Sequence, residues 1–240
     1  MLAIWKREIQ NYFLTPIGYV FMAVLLLASG GFFMLYNVLS NSSSLSTMFS
    51  NMNYLFMLVM PVLTMKLLSE EKHTRTDQLL LTSPVCITSI VCGKFLAAVT
   101  VFALSLVGTV FEVIVIVTYS KAYWGLIFSN YLGYFLIGCT YVAIGVLMSS
   151  LTENQVSAAV LTFGVNLALQ IIESVAPYAS LPSYLGWLNT VGSWFSLYNR
   201  YYSFTAGIIS LANVIYFLTF IAVMLFLAVR VIDKRRWSEG

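Results

Sequence analysis

Charge is what this sequence has least of. Of its 240 residues only 9% are Asp, Glu, Lys or Arg, while 60% are hydrophobic and 15% aromatic. Soluble globular domains carry about 25% charged residues, so a chain this poor in charge could not cover a water-facing surface, and a single water-soluble domain is excluded. Histidine occurs once, at His73, and cysteine three times, at Cys86, Cys92 and Cys139, with no C-x-x-C pair. That leaves no cluster with metal-ligand spacing and no histidine for a serine triad. Five prolines and fourteen glycines are too few for low-complexity disorder, and a net charge of 12 − 9 = +3 is too small to suggest nucleic-acid binding. A phosphate-binding loop is missing as well. The Gly93-Lys94 pair is followed by Phe95 and has Thr88 where the first glycine would stand, so the chain cannot hydrolyse ATP alone.

What the chain has is long apolar runs. A membrane-spanning helix needs roughly 20 mainly apolar residues, and six such stretches are present, at about 17–39, 51–68, 95–119, 130–150, 156–172 and 211–232. The runs are continuous, without the alternation of a transmembrane barrel, which predicts an all-α polytopic membrane protein forming a single domain over 1–240. The first run is longer than the core of a signal peptide and no A-x-A-like site follows it, so it is expected to be retained. Six spans place both termini on one side. Setting them inside puts ten of the twelve basic residues there, leaving only Lys121 and Arg200 outside. This split predicts cytoplasmic termini in a cell membrane, with the Lys234-Arg235-Arg236-Trp237 cluster as an anchor at the last exit. The cysteines then lie near the reducing cytosol or inside a span, where they are expected to be small buried side chains.

Three segments between the spans carry information. In residues 1–16, Leu2, Trp5, Ile9, Tyr12 and Phe13 recur at helical spacing, predicting an amphipathic helix in the membrane interface that Pro16 ends. An irregular tail is the alternative. Residues 69–84 form the most polar internal stretch. Ser69 is expected to cap a turn carrying Glu70 and Glu71, Thr74 and Asp77 resemble a second capping box, and Leu79, Leu80 and Leu81 need cover from lipid headgroups or from a partner protein. His73 is expected to be a surface residue of this stretch. The outer segment 174–207 is rich in Tyr, Trp and Phe, which suggests helices dipping into the outer interface, whereas 41–50 reads as a plain polar turn.

Within the spans, Thr162, Asn166, Gln170 and Glu173 share one face of the fifth helix. Such a stripe is costly in lipid and must face protein or a water-filled cavity, through interhelical hydrogen bonds or as the lining of a substrate path. Glu112 in the third span needs a partner or a proton and is expected to be structural. Gly138 and Gly145 in the fourth span suggest close helix packing.

The run Glu70-Glu71-Lys72 followed by Thr76-Asp77-Gln78-Leu79-Leu80-Leu81-Thr82-Ser83-Pro84-Val85 resembles the E-E-K-x-x-G-T-x-x-x-L-L-x-S-P-V run that follows the second span of type-2 (exporter-class) ABC transporter permeases. Gly93-Lys94-Phe95 and the stretch from Gly207 to Trp237 extend the likeness to essentially the whole chain. It is closest in kind to the small six-span permeases that include the gliding-motility-associated type, with Arg75 standing where that family has Gly. The resemblance implies a coupling segment at 69–84, with Glu70, Glu71, Lys72, Thr76, Asp77, Leu79, Leu80 and Leu81 docking on a cytosolic ATP-binding subunit that would hold ATP and Mg. It implies a second permease subunit and short re-entrant helices in the outer segment. It further implies a path between spans two and five lined by Met52, Asn53, Phe56 and Met60 (with Phe49 and Thr64 on the same surface) and by Thr162, Asn166 and Gln170. Such a lining suits a lipid-like or amphiphilic cargo in contact with membrane lipid. The competing implication is a scaffold or mechanotransmission subunit that acts on an extracytoplasmic partner.

Overall fold

A computed structural model describes the backbone of residues 1–74, 86–175 and 196–238, and the side chains of the same residues except 173–175 and 235–238. All described elements are helical. Helix α1 spans Leu2–Leu14, α2 Pro16–Phe33 with a π-helical turn at Met34–Val38, α3 Ser46–Thr64, α4 Lys66–His73, α5 Ile87–Gly108 and α6 Val110–Tyr119. Helix α7 spans Trp124–Leu151, α8 Gln155–Val175, α9 Leu197–Thr205 and α10 Leu211–Ser238. Among the described residues, six stretches are long and apolar enough to cross a membrane: Pro16–Val38, Ser46–His73, Ile87–Tyr119, Trp124–Leu151, Gln155–Ile172 and Leu211–Lys234.

The helix breaks have local causes. Thr15 is extended (φ −99°, ψ 152°) because the residue before a proline avoids helical angles, and Pro16 then starts α2 where its missing N–H costs nothing. Gly18 lets α2 fold back on α1, since a Cβ there would sit 2.6 Å from the Tyr12 carbonyl oxygen. Span three is divided at Thr109, whose hydroxyl bonds the Leu106 carbonyl at 2.8 Å and pairs with the Tyr131 hydroxyl at 2.9 Å. Just beyond the break, one oxygen of Glu112 accepts a hydrogen bond from the Ser29 hydroxyl, while the other is buried with no partner among the described residues. The polar turn after span one is shorter than the sequence suggests. It closes by Asn41, the only described non-glycine residue with positive φ (49°), and α3 starts at Ser46.

Helix α7 is the centre of the bundle. Of its apolar window 83% is buried, against 17% for α8 and 17% for α10, and it packs on α3, α4, α5, α8, α9 and α10. Small residues permit these approaches. Phe102 of α5 covers Gly138, and Thr64 of α3 covers Gly145 so closely that a Cβ would lie 2.1 Å from its hydroxyl oxygen. Helix α1 does not rest on lipid through the whole predicted apolar face. Trp5 donates to the Thr100 hydroxyl at 3.0 Å and Tyr12 is buried, but Leu2 is 77% exposed and the buried face includes Glu8.

Candidate functional site: the end of span two

Span two does not end where its apolar run ends. Pro61 lies inside α3, Met65 keeps right-handed helical angles (φ −55°, ψ −35°) with its N–H on the Pro61 carbonyl at 2.9 Å, and α4 continues the span. A restarted helix has unpaired N–H groups in its first turn. Here a neighbouring helix supplies the cap. The Ser149 hydroxyl of α7 accepts from the N–H of Leu68 (3.0 Å) and Ser69 (3.1 Å) and donates to the Met65 carbonyl at 3.2 Å. Ser69 therefore does not cap the segment as its sequence context suggests. It lies fully buried inside α4, bonding the Met65 carbonyl, and Glu70 and Glu71 fall in the second half of the helix. Thr74 turns its hydroxyl back to the Glu70 carbonyl at 2.9 Å, closing α4.

Two further ties hold α4. The Lys72 ammonium donates to the Ser150 carbonyl at the end of α7. Glu71 meets Lys94 of α5 at 2.9 Å and Arg7 of α1 at 3.0 Å, and Glu8 of α1 meets the same lysine at 3.2 Å and Arg7 at 2.7 Å. Among the described residues, two cations and two carboxylates thus form one ion group. Its centre is Lys94, with a side chain only 2% exposed, which such pairing makes tolerable in a low-dielectric setting. The Glu8 hydrogen bond, with the Glu71 charge adding to it, raises the Arg7 guanidinium above its ordinary value. Tyr12, whose hydroxyl donates to the Leu63 carbonyl at 2.8 Å, is pushed up by burial. Between α1 and α4 a cleft of about 310 Å³ remains.

The predicted coupling residues are thus only partly described. Glu71 and Lys72 are engaged as above, Glu70 lines the cleft and His73 is exposed, while Thr76, Asp77, Leu79, Leu80 and Leu81 lie outside the described residues, as does Arg75. The residues expected to line a path are closed against their own protomer. Met52, Asn53, Phe56 and Met60 are buried, with the Phe56 ring centroid 4.5 Å from that of Tyr134 and 5.7 Å from that of Tyr141, both on α7. On α8, Thr162 is buried with its hydroxyl on the Ala158 carbonyl, Gln170 is half-buried, and the side chain of Glu173 is outside the description. Asn166 is 1% exposed, and neither its amide nitrogen nor its oxygen has a partner.

A bundle with six helices long and apolar enough to span a membrane, and a half-polar helix clamped at the end of the second, is matched over residues 20–237 by the model of the ABC-2 family transporter protein. The chain belongs to the ABC-2 transporter family. No individual curated protein matches it. As an ABC-2 member it is a multi-pass transmembrane permease component, and membership implies an ATP-binding ABC partner. The clamp of this ABC-2 permease was not legible in its sequence. Lys94 looks like a residue at the edge of the third span, and Glu8 like part of a solvated face. The signal that could have found them is scarcity, since nine acidic residues in 240 leave few carboxylates free to be idle.

Proposed function

We propose that this chain is the permease subunit of an ATP-driven transporter. It would pair with a second permease, identical or related, and with two ATP-binding subunits that hold ATP and Mg. In this reading the termini are cytoplasmic, the cargo is lipid-like or amphiphilic and moves outward, and the outer aromatic segment 174–207, of which 176–195 lie outside the described residues, seals the exit. Residues 69–84 dock on the ATPase. The observation that carries the reading is that α4, leading into that segment, is continuous with span two and tied to α1, α5 and α7 through Glu71, Lys72 and Ser149. Movement of the docked segment would then be passed to spans three and four as well as two. Because Met52, Phe56, Met60 and Asn166 are buried within the protomer, the path between spans two and five is shut in this state and opens when α3 and α8 shift.

Docking is tested by capturing the ATP-binding subunit on the purified permease. Changing Leu79, Leu80 and Leu81 together to Asp should abolish capture while leaving the permease folded; undiminished capture would remove the docking role.

A further inference from the structure

The cleft between α1 and α4 holds two charges that the ion group does not use. Lys66 and Glu70 both line it, one helical turn apart on α4, and both are half-buried. Glu8, Glu71 and Lys94, which also line it, pair with one another and with Arg7. Among the described residues, neither Lys66 nor Glu70 has a side-chain hydrogen bond or ion pair, and they are not paired with each other. Two opposite, half-desolvated charges about 6 Å apart along a helix axis call for an occupant that presents an anion to one and a cation to the other. The rest of the lining suits the same occupant. Asn11 and Thr15 are polar, Ile17 and Leu67 are the apolar part of the lining, and further along α2 Tyr19, Val20 and Val24 are exposed.

We propose that this cleft binds the headgroup of an inner-leaflet phospholipid bearing a phosphate and a primary ammonium, of the phosphatidylethanolamine type. The order of the charges selects it. With the termini cytoplasmic, an orientation taken from the function proposed above, the chain runs inward from α3 to α4, so Lys66 lies on the membrane side of Glu70. The phosphate of such a lipid joins the glycerol and its ammonium is the outermost group. Phosphate therefore meets Lys66 and the ammonium donates to Glu70, while the acyl chains lie along the exposed residues of α2. A phosphatidylglycerol headgroup leaves Glu70 without a counter-charge, and a trimethylated ammonium has no N–H to give it. The bound lipid bridges α1 to α4 and so stiffens the element that leads to the ATPase.

The test is native mass spectrometry on the purified full-length chain, without the ATPase, offered equal amounts of phosphatidylethanolamine and phosphatidylglycerol. The wild type should retain the ethanolamine lipid in preference by about tenfold, the scale of one charge-assisted hydrogen bond. The exchange of both charges, Lys66→Glu with Glu70→Lys, keeps the net charge of the cleft and reverses its order, and should erase the preference. Should that variant fail to fold, Glu70→Gln should erase it while retaining both lipids. Equal retention of the two lipids by the wild type, or a preference that survives these changes, overturns the proposal. A parallel arm uses phosphoethanolamine; if it raises the melting temperature while no lipid is retained, the site belongs to a soluble ligand and the lipid assignment is wrong. Capture of the ATP-binding subunit is measured separately, so either proposal can fail alone.

Discussion

Lys94 and Glu71 lie 2.9 Å apart, joining the third span to the helix that continues the second, and almost none of the lysine side chain reaches solvent. The pair works as a joint because Glu8 and Arg7 complete it from α1, so three elements share one ion group. Removing the central cation leaves two carboxylates with only the half-exposed Arg7 between them.

Lys94→Met should therefore destabilise the protomer by about 3–5 kcal/mol, the range for breaking a buried pair from one side. Arg7→Ala, whose side chain is 48% exposed, should cost less than about 1 kcal/mol. Thermal melting of both variants in the same detergent checks the ranking. Equal losses would mean that the lysine is not the centre of the group.

Ser149→Ala should expose the start of α4. Its hydroxyl accepts from two backbone N–H groups in the first turns of α4, and leaving a buried donor unpaired costs roughly 1–3 kcal/mol. Hydrogen exchange should quicken at Leu68 and Ser69. Ser150→Ala is the control, because that hydroxyl bonds the Leu147 carbonyl of its own helix and leaves those amides protected.

Glycine substitutions should divide by location. Gly145→Ala drives a Cβ to 2.1 Å from the Thr64 hydroxyl oxygen and 2.6 Å from its Cβ; overpacking of this kind costs about 1–3 kcal/mol. Gly164→Ala, with nothing within 4 Å, should be neutral or stabilising by up to about 1 kcal/mol from helix propensity. Melting temperatures of the two single variants decide the matter.

Asn166→Leu should separate stability from transport. The amide is buried with both polar atoms unpartnered, so a leucine of similar size should raise the melting temperature, by an amount corresponding to roughly 1–3 kcal/mol. If the amide lines the cargo path, substrate-stimulated ATPase of the assembled transporter should fall at the same time. A variant that is stabler and fully active would make Asn166 a structural residue alone.

The lipid environment and the number of spans were legible because both rest on local quantities, the scarcity of charge and the length of apolar runs, which need no knowledge of neighbours. The packing role of Gly138 and Gly145 was legible for the same reason. Ser69 misled because a serine before two glutamates is a good cap in isolation, whereas here the cap comes from Ser149, 80 positions away. Glu8 drew no notice because a polar residue on an amphipathic helix is ordinarily solvated, and its burial depends on a lysine 86 positions further on.

From its order of residues alone, then, this chain was bound to be a six-helix membrane bundle with a polar break after the second crossing, since hydrophobic run length and backbone hydrogen bonding leave no other stable form in lipid. Which charges meet, which hydroxyl restarts α4, and which cation and carboxylate stay open in the cleft were settled only by tertiary packing. Those pairings are distances between helices, and helix periodicity fixes the face a residue occupies but not what stands across from it.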